Sequence, residues 1–257
     1  MKAIWNGAIG FGLVNIPVKM YSATESSNID LDMLDKNDHE NIRFKRVNEK
    51  TGKEVLWENI VKGYKLNDEY IVLDDEDFEA ASPEKSKMLS IEQFVKEDEI
   101  ESVYFETPYF LEPQKNGENA YSLLIKALLK TKMVGVGTFV MRSKAHLCVI
   151  KPYKDILIMN QIRFPEELRD YDELKIPKKT VKEGELKMAI ALIEQSSEKF
   201  NPDQYVDTYK EDLLKIIEQK AKGKRPKIQA AKETSDKTVD LMAQLKASLE
   251  KTKKSAS

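Results

Sequence analysis

One cysteine, Cys148, stands among 257 residues. That scarcity excludes a disulfide within one chain and any thiolate metal cluster. Histidine is nearly as rare, with only His39 and His146, so acid–base and nucleophilic catalysis has few side chains to draw on. No apolar run approaches the roughly 18 residues that a membrane-spanning helix needs. The N-terminus enters a strand-like pattern within its first few residues and shows no charged-then-apolar leader. A secretory signal is therefore not expected, and the cytosol is the natural compartment.

Net charge is also small, −2 from 42 basic and 44 acidic residues. At first this argues against a nucleic-acid partner, but the average hides a segregation. Residues 66–118 carry sixteen acids, the run Asp74-Asp75-Glu76-Asp77 among them, against four lysines, a balance of −12. Residues 126–163 carry eight basic residues against Asp155 alone, a balance of +7. Residues 42–65 carry seven basic residues against three acids, a balance of +4. A molecule with one positive and one negative surface fits this better than a uniformly mixed one. Solvated faces that happen to cluster are the plain alternative.

What the chain does have is strand patterning followed by helical patterning. Residues 3–23 mix Ile4, Ile9, Phe11, Leu13 and Val14 with Gly7, Gly10 and Gly12, too many glycines for a helix and suited to bent strands. No Lys-Ser/Thr follows those glycines and Pro17 bars a helix, so no nucleotide-binding loop is expected. Residues 42–47 alternate apolar and basic side chains, the signature of a strand with one charged face, and 49–52 form a turn that returns through 55–57. Further strands are expected at 70–73, 88–95 and 102–110, with a short acidic helix from Asp75 to Ala81. Asn119 caps an amphipathic helix through Lys130. Runs at 134–141, 146–150 and 156–162, joined by short polar turns, make an antiparallel meander and point to a barrel or curled sheet. Helices are expected over 185–200 and 202–222. Residues 223–237 read as a flexible linker, and Val239, Leu241, Met242, Leu245 and Leu249 line a last amphipathic stretch. That stretch either packs back on the core or docks on another protein, and the linker before it favours docking.

Little of this is catalytic. His146 and Cys148 share a strand face by alternation, but a core cysteine is the commoner meaning of that pattern. The acids at 74–77 lack the spacing and glycine of a calcium loop and fit a charged helix start. No catalytic residue, metal or cofactor is expected. Arg43, Lys45 and Arg46 sit where a strand face can meet phosphates; Lys126 and Lys130 lie one helical turn apart; Arg142 and Lys144 crown a hairpin. Ordinary surface cations are the alternative. Nothing has the form of a recognition helix, a zinc finger or a single-strand stacking platform.

Several separated strings coincide with one pattern. They are residues 5–23, Ile42-Arg43-Phe44-Lys45-Arg46-Val47, Tyr109-Phe110-Leu111-Glu112-Pro113, Glu185-Leu186-Lys187-Met188-Ala189, residues 200–209 and Val239-Asp240-Leu241-Met242. In this order, over about residues 1–250, the chain resembles the prokaryotic Ku proteins. The resemblance implies an α+β fold: a β-barrel core whose extended dimerisation arms form a ring, followed by a helical C-terminal arm. The corresponding divisions are 1–184, 185–222, the linker 223–237 and a ligase-contacting segment, 238–257. It further implies a homodimer in the nucleoid-associated cytoplasm. That dimer would encircle double-stranded DNA ends without reading sequence and recruit ATP-dependent ligase D for non-homologous end joining, with no catalytic site of its own. Lys19, Arg43, Lys45, Arg46, Lys126, Lys130, Arg142 and Lys144 are the expected phosphate contacts. Val239, Leu241, Met242, Leu245 and Leu249 are the expected ligase contacts. Many relatives carry Cys-x-x-Cys after the Lys-Arg-Val; here Asn48-Glu49-Lys50-Thr51 stands there, so an ordinary turn without zinc is expected. The basic tail is short, which puts tail-driven DNA threading in doubt. A protein-binding scaffold with basic faces is the competing class.

Overall fold

The structure is a computed structural model and describes residues 1–81, 87–142, 144–177 and 179–224. These fall into two compact units, Met1–Ser26 with Asp30–Asp170, and Ser27–Ile29 with Tyr171 onward.

In the first unit seven strands close a barrel: β1 (Trp5–Phe11), β2 (Val14–Ser22), β5 (Met88–Lys96), β6 (Phe105–Pro113), β7 (Met133–Met141), β8 (Lys144–Tyr153) and β9 (Ile156–Ile162). Around the barrel the order is β1-β2-β6-β9-β8-β7-β5. All neighbours are antiparallel except β5 and β1, which pair in parallel at Ala8, Ile9 and Gly10. Closure removes the exposed edges that an open sheet would present. Alternate residues such as Ile16, Val18 and Met20, or Leu157 and Met159, point inward and are fully buried, the period of two that strands impose.

The opening glycines serve this geometry. Gly12 turns β1 into β2 at φ +56°, a conformation open to glycine at little cost. A Cβ on Gly7 would lie 2.2 Å from both the Lys87 carbonyl oxygen and the Trp5 ring. The bare backbone lets Trp5 fold over it, edge-on to Phe139 at 6.5 Å, with its indole N–H donating to the Val140 carbonyl.

Helix α2 (Glu118–Thr131) buries Tyr121, Leu124 and Leu128 in the same core as the barrel residues. Its cap is Gly117, not Asn119, which lies inside the first turn. Gly117 is buried with the Pro17 ring 3.0 Å from where a Cβ would stand, so no capping side chain fits there. Its carbonyl takes the Tyr121 N–H.

Between Ser22 and Lys87 no described residue is buried. The strand expected at 42–47 does not form. Pairing there is limited to isolated bridges, Leu34 with Asn41 and Val47 with Glu54. A strand needs a partner and a surface to cover, and Phe44 is 77% exposed. The turn at 49–52 is present, with Asn48 Oδ1 accepting from the N–H groups of Lys50 and Thr51. A 3₁₀ turn, Trp57–Asn59, leads to a hairpin of β3 (Lys62–Leu66) and β4 (Glu69–Leu73), then α1 (Asp75–Ala81). Asn67 and Asp68 both have positive φ, the two-residue turn that matches strand twist. The strand expected to begin at 102 starts instead at Phe105, after a 3₁₀ turn over Ser102–Tyr104.

The second unit holds α3 (Glu183–Gln195) and α4 (Thr208–Ala221). Both are shorter than their periodicity. Just past α3 the Ser197 hydroxyl bonds the Ile193 carbonyl, the local competition by which serine disfavours helix continuation. Asn201-Pro202 starts only a 3₁₀ turn, Pro202–Gln204, and Asp207 is the true cap of α4, accepting from the N–H groups of Tyr209 and Lys210. No described residue of either helix is buried.

Candidate nucleic-acid interface

The barrel core is packed. Phe139, Ile9, Met20 and Met159 are fully or almost fully buried inside it, so it is not a bore, and any duplex must lie outside it. Lys19 stands on the outer face of β2, between Asn6 of β1 and Glu112 of β6 in register. Lys126 and Lys130 are exposed on α2, away from the face that buries Tyr121, Leu124 and Leu128. Arg142 occupies the β7–β8 turn with φ +52°, and Lys144 opens β8 opposite Met141.

These cations do not converge. α2 leads into the start of β7, whereas Arg142 follows its end. Nine residues of strand separate those ends, a span of roughly 26 Å at about 3.3 Å per residue. One phosphate cannot be shared across that distance; successive phosphates along a backbone can be.

Arg43, Lys45 and Arg46 lie closer together along the chain, but they do not form one charged face. Lys45 Nζ lies 2.7 Å from Glu54 Oε2, and this hydrogen bond holds its pKa above the ordinary lysine value. The Arg46 guanidinium sits 4.5 Å from the centre of the Trp57 ring. Arg43 is exposed in the irregular stretch beside them.

Tertiary contacts also trim the basic stretch at 126–163. Lys151 pairs with Glu97, and Arg163 lies 3.7 Å from Glu106 while Nη1 donates to the Phe105 carbonyl. Both acids come from the acidic segment. Trp57, Glu54 and the Lys62 ammonium over the Phe78 ring at 4.3 Å were not found by sequence reasoning. Their partners lie too far along the chain for any local period to mark them.

The remaining chemical candidates have structural roles. Cys148 is fully buried, donates its S–H to the Gly137 carbonyl at 3.3 Å, and is pushed up to about 12 chiefly by burial. It offers no thiolate near neutrality. His146 lies against Phe139, ring centres 5.2 Å apart. Asp74 and Asp77 accept each other's backbone N–H groups at the start of α1, the use of carboxylates that a helix N-terminus favours. Among the described residues no three His, Cys, Asp or Glu side chains are placed to hold a metal ion. The expected ligase contacts at 239–249 lie outside the described residues.

A family model described as the Ku70/Ku80 beta-barrel domain matches residues 10–188. The Non-homologous end joining protein Ku of Coxiella burnetii is 38% identical over 268 residues, covering 100% of this chain and 98% of that protein. The protein of the same name from Cupriavidus necator is 39% identical over 262 residues, 96% of this chain and 77% of its own length. That from Pseudomonas aeruginosa is 37% identical over 247 residues, 94% of this chain and 84% of its own. Among solved structures, the SPOC domain of human PHD-finger protein 3 covers 63% of this chain and 95% of its own at 12% identity; its TM-score of 0.30 is too low to argue from.

Proposed function

The chain belongs to the Ku family, and from that membership we propose that it binds double-stranded DNA ends, without reading their sequence, in non-homologous end joining. The observation that carries this is its collinear identity, over nearly the whole chain, with proteins named Non-homologous end joining protein Ku. The binding is done as a homodimer that encircles the duplex. Two features support that form. The barrel is filled and has no lumen for DNA. The arm between Ser22 and Lys87 leaves Leu31, Phe44, Tyr64, Tyr70 and Val72 exposed, an apolar cost that interlocking with a second copy would offset.

Phosphate contacts come from Lys19, Arg43, Arg46, Lys126, Lys130, Arg142 and Lys144, spread along the path of a backbone rather than gathered on a base edge. Affinity from such contacts is sequence-independent and salt-dependent. The residues beyond the described part, with Val239, Leu241, Met242, Leu245 and Leu249, recruit ligase D. The protein itself performs no chemistry.

A ring must thread onto an end. Gel shifts are therefore expected to show tight binding to linear duplex and weak binding to covalently closed circles of equal length, with a dimer by light scattering. Equal affinity for closed circles would overturn end recognition.

A further inference from the structure

Three cations of the arm are held in two different ways. Lys45 lies against Glu54, and Lys65 lies 2.8 Å from Asp68. An ion pair of this kind has no net charge and has little left with which to displace counterions from DNA. Arg46, next along the chain from Lys45, has no ion pair among the described residues; its guanidinium rests on the Trp57 ring. An aromatic face attracts a cation without cancelling its charge. A guanidinium held over a ring keeps N–H groups that can meet a phosphate with two parallel hydrogen bonds.

The backbone fixes this pair from both sides. Val55 N–H donates to the Arg46 carbonyl, Asn48 N–H donates to the Lys53 carbonyl, and Val47 bridges Glu54. Trp57 is 72% exposed, so the core gives no account of it. We infer that Trp57 is a positioning residue for DNA binding: it holds Arg46 ordered before the duplex arrives, edge outward toward a backbone phosphate, while Lys45 makes no phosphate contact. The gain is entropic, because a free arginine must be immobilised on binding and a stacked one already is. This inference rests on the end-binding function proposed above.

The experiment is affinity for a short blunt duplex, by fluorescence anisotropy across a salt series, with melting temperature as the control for folding. Trp57→Ala is expected to weaken binding about two- to tenfold, the cost of immobilising one long side chain on binding, with the slope of log K against log salt unchanged because the charge remains. Arg46→Ala is expected to lower that slope by about 0.9 for each phosphate it no longer neutralises. Trp57→Phe should keep most of the wild-type affinity. In the Arg46→Ala background, Trp57→Ala should have no further effect, since its action runs through Arg46. Removing the pair with Lys45→Ala and Glu54→Ala should leave affinity and slope unchanged. Wild-type affinity in Trp57→Ala, a full additive loss on top of Arg46→Ala, or a lower slope in the Lys45–Glu54 double variant would each overturn the inference. Wild-type protein that bound no duplex would overturn the end-binding function itself, an outcome distinct from all of these.

Discussion

At the scale of single residues, Cys148 shows how far alternation reaches. Its place two residues from His146 puts both on one strand face, and the barrel then decides that the thiol lies inside. Burial disfavours the charged thiolate, and the pKa rises from 9.0 to about 12. Because the folded value exceeds the unfolded one, the fold favours the neutral thiol. That contribution is whole below about pH 9 and is lost as the pH climbs toward 12. The native protein is expected to be inert to a thiol reagent such as dithionitrobenzoate at pH 8, and to titrate one thiol per chain once denatured. Rapid native labelling would contradict it. Lys45 teaches the opposite lesson. Its alternation with Arg43 was legible, but the acid that neutralises it arrives from the other side of a turn.

At the scale of elements, the meander was legible strand by strand: 156–162 is the observed β9, 134–141 misses β7 by one, and 146–150 falls short of β8 by two residues at its start and three at its end. Short turns and steady alternation carry that information locally. The amphipathic face of α2 was legible too, but not the work of Tyr121. Its hydroxyl donates to the Leu111 carbonyl of β6 at 2.5 Å and accepts from the Leu157 N–H of β9 at 2.7 Å, fastening the helix to two strands at once. Tyr121→Phe keeps the ring and orphans the partners. It is expected to cost about 1–3 kcal/mol in urea unfolding, the penalty of a buried unpaired polar group. A loss of a few tenths would mean that the hydroxyl does not fasten them. Residues 42–47 failed as a strand for a reason no window contains: alternation licenses a strand, but only a neighbouring strand completes one.

At the scale of the whole molecule, the described chain has a barrel core and long stretches without one. No described residue between Ser22 and Lys87, or beyond Ile162, is buried. Such stretches obtain little hydrophobic stabilisation from their own unit; the homodimer proposed above would supply it. The division of labour proposed for the chain has a separate test. Deleting residues 239–257 is expected to leave end binding intact and to abolish stimulation of ligase D in a blunt-end joining assay. Undiminished stimulation would remove the ligase assignment from that segment.

Sequence alone determined the barrel class, the helix-rich second part and, through collinear strings, the family. Those features rest on local period, turn chemistry and order, which a single chain spells out. Tertiary structure decided that the barrel is filled, that Lys45, Lys151 and Arg163 are paired with acids, and that Arg46 rests on Trp57. Charge counts along a chain add every cation equally. Which cations keep their charge depends on which acids folding brings beside them, and that is a property of three dimensions only.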